Sequence, residues 1–187
     1  MVNKGNSDWL TAIFTAIIAC TGLAALGYAH WQISAAHDEA QVQHLLALDE
    51  EFENEPMVNY RRVYAEKKLK GVGDSPEEYK ILDFFETVAH LANRGYLSDK
   101  DVWETWGYQI FCMYAGARDM IEQDQKDDPV EYKNLTAFVK RLDSIEAEQH
   151  GTWSRPSKEG LREFWQEEEA TGIRTPIGRH KPSVAKP

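Results

Sequence analysis

Between Trp9 and His37 the chain carries no Asp, Glu, Lys or Arg, and the 20 residues from Trp9 to Tyr28 read WLTAIFTAIIACTGLAALGY. Only Thr and Gly interrupt the apolar run. About 20 such residues, rising 1.5 Å each, cross the roughly 30 Å hydrocarbon core of a bilayer. A helix satisfies its backbone groups internally, as lipid demands. Trp9 stands at one end, and Tyr28 with Trp31 at the other. These are headgroup-level positions, where an aromatic body and a polar N–H or O–H are both satisfied. The hydroxyls of Thr11, Thr15 and Thr21 are expected to bond back to the helix backbone. The run therefore predicts one transmembrane helix over residues 9–31, behind a flank of residues 1–8, with the lipid bilayer as its partner.

Two other assignments compete. In a cleaved secretory signal, Lys4 would supply the basic end, and Ala25-Leu26-Gly27 or Gly27-Tyr28-Ala29 the cleavage site. The run exceeds the usual 7–15 apolar residues of such signals, and Asp8 abuts it. The second is a buried core helix, which the Trp residues at both ends fit less well than they fit a bilayer. Gly22 and Gly27 are five apart, so the Gly-xxx-Gly dimer spacing is missing.

Averaged over 187 residues, the composition conceals this span. The chain is 42% hydrophobic and 28% charged with a net charge of −10, and its mean hydropathy is −0.57. Those values exclude a polytopic membrane protein and a low-complexity chain. The acidic balance argues against nucleic-acid binding, which needs basic surface to release counterions. Two cysteines, Cys20 and Cys112, make no disulfide framework. The length suits one ordinary domain beyond the span.

Charge near the span gives a thin signal for orientation. Lys4 precedes it, and no Lys or Arg follows until Arg61. Seven acids come first: Asp38, Glu39, Asp49, Glu50, Glu51, Glu53 and Glu55. Counted by bases alone, this puts the N-terminus inside and the domain outside.

The remaining chain reads as helices. Val42, Leu45, Leu46 and Phe52 are spaced as one apolar face of a first helix running on from the span. A second helix, near residues 56–70, carries Met57, Tyr60, Val63 and Tyr64 and stops at Gly71. Its bases Arg61, Arg62, Lys67, Lys68 and Lys70 follow the acidic run, so a hairpin would bring opposite charges together. Ser75-Pro76-Glu77-Glu78 is a capping box opening a third helix, with Ile81, Phe84, Phe85, Val88 and Leu91 as its stripe. Ser98 caps a fourth, predicted to run through Trp103, Trp106, Ile110, Met113 and Ala117 to Ile121, with Gly107 and Gly116 marking close helix contacts. Asp128-Pro129 is read as the start of a fifth, carrying Leu135, Phe138, Val139, Leu142 and Ile145. The stripes predict an all-α fold, an antiparallel bundle of four to five helices over residues 32–150. Residues 151–170 read as a linker and a short amphipathic helix burying Leu161, Phe164 and Trp165. Residues 171–187 hold four bases, three prolines and no acid, and are expected to be a disordered basic tail.

Chemistry is sparse. His30, His37 and His44 recur every seven residues on one helix face. Neighbours about 10 Å apart cannot share one ion within a chain, so only a parallel homo-oligomer could ring them. Asp83, Glu86, His90 and Arg94 form a polar stripe beside the Phe face of the third helix, with Glu86, His90 and Arg94 as its candidate site. Glu86 and His90 are i, i+4 neighbours able to pair, either as a structural pair or as acid/base groups between helices. No phosphate-binding loop, dinucleotide fingerprint, nucleophile elbow or zinc motif is present. No metal or cofactor is predicted. Trp106 and Tyr108 cannot face one core, so one of them is expected at the surface.

The stretch ILDFFETVAHLANRGYLSDKDVWETWGYQIFCMY, Ile81 to Tyr114, resembles a family of short bacterial proteins of unknown function. Its marks are Phe84-Phe85-Glu86, the turn Gly95-Tyr96-Leu97-Ser98 and the aromatic helix that follows. The resemblance implies an N-terminal transmembrane helix and a compact helical domain on the cytoplasmic side of the inner membrane. It implies no activity. Together with the residues it sets three expectations. One is a single-pass anchored interaction protein, acting as scaffold, sensor or regulator on a protein partner without catalysis. Another is a tethered enzyme using Glu86 and His90. The third is an exported helical protein with its first segment cleaved.

Overall fold

The computed structural model of the chain describes residues 4–73, 75–151 and 155–171, with side-chain surroundings from residue 14 onward except residue 19. Among the described residues there are seven α-helices and no strand. They are α1 (Lys4–Glu53), α2 (Met57–Leu69), α3 (Pro76–Asn93), α4 (Asp99–Gly116), α5 (Arg118–Asp127), α6 (Lys133–His150) and α7 (Lys158–Thr171). The chain divides into two compact units, Met1–Gln43 and His44–Pro187.

The first unit is helix alone. From residue 14 to residue 40, every side chain described is exposed, including Ile18 at 71% and Leu26 at 69%. Thr21 Oγ1 donates to the Ile17 carbonyl at 2.7 Å, as expected of a hydroxyl inside an apolar helix. The segment is long and apolar enough to cross a membrane. The Tyr28 and Trp31 rings lie 5.9 Å apart, both exposed. The side chain of Trp9 lies outside the described residues, as do residues 172–187, on which the tail expectation falls.

The second unit is built around aromatic packing. Phe52, at the end of α1, is fully buried against Phe84, Phe85 and Trp106. Leu45 and Leu48 pack beside it, whereas Val42 and Leu46 are exposed. At 100° per residue, positions 45, 48 and 52 share a face and 42 and 46 fall outside it, which corrects the predicted stripe.

Helix α3 opens as its sequence requires. Ser75 Oγ accepts from the Glu78 N–H at 3.3 Å with Pro76 in the first turn. The return half of the box is missing, because the Glu78 carboxylate turns into the core. The stripe Ile81, Leu82, Phe85, Val88, Ala89 and Ala92 is buried, at about 1.5–3 kcal/mol per large apolar side chain. Gly95, at φ +77°, ends the helix. Its N–H donates to Ala92 O at 3.0 Å and that of Tyr96 to Leu91 O at 3.0 Å, the paired bonds of a left-handed helix stop.

Two predicted boundaries move. The fourth helix does not reach Ile121. It stops at Gly116, and α5 restarts at Arg118. A Cβ on Gly116 would lie 2.6 Å from the Trp165 ring of α7 and 3.0 Å from Tyr64 Oη, so close packing requires glycine where helix propensity is weakest. The sixth helix does not start at Asp128. Asp128 Oδ1 caps the Val130 N–H at 3.0 Å within a turn, and α6 follows Tyr132, whose φ is +48°. The short C-terminal helix, expected beyond the bundle, packs on α2 and α4 with Phe164 and Trp165 buried.

Candidate functional site

The predicted stripe on α3 is divided between two surroundings. Glu86 is half-buried and reaches the start of α6. Its Oε1 accepts from the Asn134 backbone N–H at 3.2 Å and from Asn134 Nδ2 at 2.6 Å. Its Oε2 accepts from the Leu135 N–H at 2.7 Å. Tyr132, the residue before α6, offers no side-chain cap. A carboxylate from another helix therefore satisfies amides that otherwise lack partners, at the pole where negative charge is favoured. This accounts for the displaced start of α6. His90 and Arg94 are exposed. The predicted Glu86–His90 pairing is corrected, because both Glu86 oxygens are engaged across the bundle. Asn93 Nδ2 donates to Asn134 Oδ1 at 3.0 Å and braces the same junction.

The buried charges lie elsewhere. Arg61 of α2 is 3% exposed. Its guanidinium sits 3.9 Å from the Phe52 ring centroid, donates from Nη1 to Glu53 Oε1 at 3.1 Å, and places Nε 3.3 Å from Glu168 Oε2. That last contact is an ion pair off the hydrogen-bond line, since neither atom has an aligned partner. Burial pushes the Glu168 carboxyl above its ordinary value, and Arg61 offsets only part of the rise. Glu78, 1% exposed, accepts from Tyr64 Oη at 3.1 Å and lies 2.9 Å from Lys68 Nζ through the same oxygen. Lys67 Nζ bonds Glu77 Oε2 at 2.7 Å, which holds the Glu77 carboxyl below its ordinary value. The bases of α2 thus pair mainly with α3 and α7. Among the described residues, Arg61 is the one of these bases that meets the acidic run, through Glu53.

Beneath α7, burial pushes the Cys112 thiol up to about 12. Burial likewise raises the Tyr108 hydroxyl beside it. Both shifts favour the protonated, less nucleophilic form. Tyr108 is the partly exposed member of its aromatic pair, edge-on to Phe164 with centroids 5.8 Å apart, whereas Trp106 is 1% exposed. The histidines stand apart: His37 Nε2 is 3.2 Å from Gln41 Nε2, and the His44 ring meets the Tyr96 ring at 6.2 Å. Among the described residues no group of three His, Cys, Asp or Glu side chains could hold a metal ion.

The buried charges carry a sequence signal. Arg61 falls in register with Met57, Tyr64 and Ala65, Glu78 with Ile81, Leu82 and Phe85, and Glu168 with Leu161, Phe164 and Trp165. A charge at i, i+3, i+4 spacing from apolar neighbours shares their buried face.

These features define an all-α domain with one apolar helix ahead of it, whose engaged polar groups fasten helix to helix. A family model for a domain of unknown function, DUF4760, matches residues 19–142, and the chain belongs to that family. The match begins within the apolar run and ends inside α6, so α7 lies beyond it. No curated protein and no solved structure matches the chain.

Proposed function

We propose that this protein is a single-pass anchor carrying a helical interaction domain, which acts as scaffold, sensor or regulator on a protein partner without catalysing a reaction. The observation that carries the proposal is the uncovered apolar length of α1. Phe14, Ile17, Ile18, Leu23 and Leu26 are all more than half exposed. So long an apolar surface without protein cover suits hydrocarbon and is unfavourable in water. Tyr28 and Trp31 then mark the interface. The absence of catalysis is supported by the use of Glu86 as a helix cap, and by the exposed positions of His90 and Arg94.

We take the membrane to be the inner (plasma) membrane with the helical domain facing the cytoplasm, a reading supported by the family resemblance and set against the single Lys4 that precedes the span. The chain should remain in the pellet after alkaline carbonate washing; release into the supernatant would sink the anchor. A reporter fused after Pro187 that is active only in the cytoplasm should report activity, and its silence would reverse the orientation.

A further inference from the structure

Helix α7 breaks a local electrostatic rule in its first turns. Lys158 and Arg162 lie four apart at its N-terminal end. Like charges at that spacing repel, and cations are disfavoured at the positive pole of a helix. Neither side chain has an acidic partner among the described residues. Both line a groove of about 410 Å³ between α2 and α7, together with Lys68, Leu69, Leu161 and Trp165. Lys68 is held there by Glu78 at 2.9 Å. Glu159, the acid of the same turn of α7, is not among the lining residues.

Two cations without an acidic partner among the described residues, Lys158 and Arg162, thus share a groove with Lys68, whose charge Glu78 already offsets, and with Leu69, Leu161 and Trp165, in a chain of net charge −10. Local rules are commonly broken where a ligand compensates. The compensating ligand here is an anion with an apolar body beside its charge: the cations take the anion, and Leu69, Leu161 and Trp165 cover the apolar part.

We propose that the α2–α7 groove binds the phosphate of an anionic phospholipid headgroup. The choice of lipid rests on the anchor proposed above. Tethering would hold the domain at a bilayer whose anionic surface repels the acidic remainder of the protein, leaving a basic groove as the favourable contact.

The test uses the full chain in zwitterionic detergent and follows thermal unfolding by near-ultraviolet circular dichroism. Short-chain phosphatidylglycerol at about a hundredfold over its Kd should raise Tm by roughly 5–10 °C, as a ligand of the native state does. The same concentration of short-chain phosphatidylcholine should leave Tm in place. In Lys158→Gln/Arg162→Gln the phosphatidylglycerol shift should vanish, while Tm without lipid stays equal or rises because the repulsion is gone. The basic tail is intact in that variant, so a tail effect would persist. An equal shift in the variant, or none in the native chain, overturns the proposal. An equal shift with inorganic phosphate overturns the lipid in favour of a soluble phosphate. A shift produced only by an acidic peptide overturns it in favour of a protein ligand. Soluble lipid in detergent does not require α1 to be inserted, so failure here is distinct from failure of the carbonate wash.

Discussion

Glu86 shows how a single side chain sets an element boundary. Its two oxygens take three hydrogen bonds at the start of α6. Because the site is half-buried and water can replace part of the cap, its net contribution is that of one bond to a charged group, about 1.5–3 kcal/mol. Glu86→Ala should lower stability by about that amount, read as a fall in the urea midpoint at constant slope. Glu86→Gln keeps an acceptor and loses the charge, so its cost should be nearer 1 kcal/mol. Unchanged midpoints in both variants would remove the cap from the account. Glu168 makes a prediction about pH. Its folded carboxyl is raised by burial, so the native chain binds this proton at higher pH than the unfolded chain does. Its stabilising contribution is therefore full at acid pH and lost as pH rises through the raised value. Glu168→Gln stays neutral throughout. Stability of the variant minus that of the native chain should grow between about pH 4.5 and neutrality. A flat difference would mean Arg61 compensates the burial fully. Both residues were visible in the sequence, but their partners were not. Glu86 looked like a local i, i+4 partner of His90, whereas its contacts lie 48 and 49 residues away.

At the scale of elements, local signals were legible and junctions were not. The Ser75 and Ser98 caps, the Gly95 stop and the α3 stripe follow from nearest-neighbour chemistry, and each stands where the residues put it. The break at Gly116 does not follow from local chemistry. Glycine is tolerated within helices, so its reason is the Trp165 ring of a helix forty residues on. Helix α7 was legible as amphipathic, yet nothing in its own sequence said which helix it would cover. Gly116→Ala isolates this junction. The added methyl favours helix by about 0.5–1 kcal/mol, but overpacking against a rigid ring costs about 1–3 kcal/mol. The variant should be less stable overall, with Trp165 displaced. A proteolysis pattern showing earlier cleavage between α6 and α7 would be its signature; a rise in Tm would show that the ring gives way freely.

For the whole molecule, the deciding contrast is between a unit with a core and a unit without one. His44–Pro187 buries aromatic and aliphatic side chains from every helix it contains, while the described side chains of residues 14–40 bury nothing. An uncharged apolar run and amphipathic stripes place opposite demands on solvent; from them the bundle is expected to start at residue 32, whereas the second unit begins at His44. The split predicts that the anchor can be disabled without harming the bundle. A charged residue at the centre of a membrane helix costs about 2.5–3.5 kcal/mol on insertion scales. Ile18→Lys/Leu23→Arg would place two such charges on exposed positions of α1, together costing about 5–7 kcal/mol. The variant should move from the membrane pellet to the supernatant after carbonate washing. The unfolding midpoint of the helical domain should change by less than about 2 °C, because neither side chain contributes to its core. Retention in the pellet would mean that something other than α1 binds the membrane. A collapse of the midpoint would mean that the first unit supports the second, and that the exposed apolar length of α1 is a folding surface instead of an anchor.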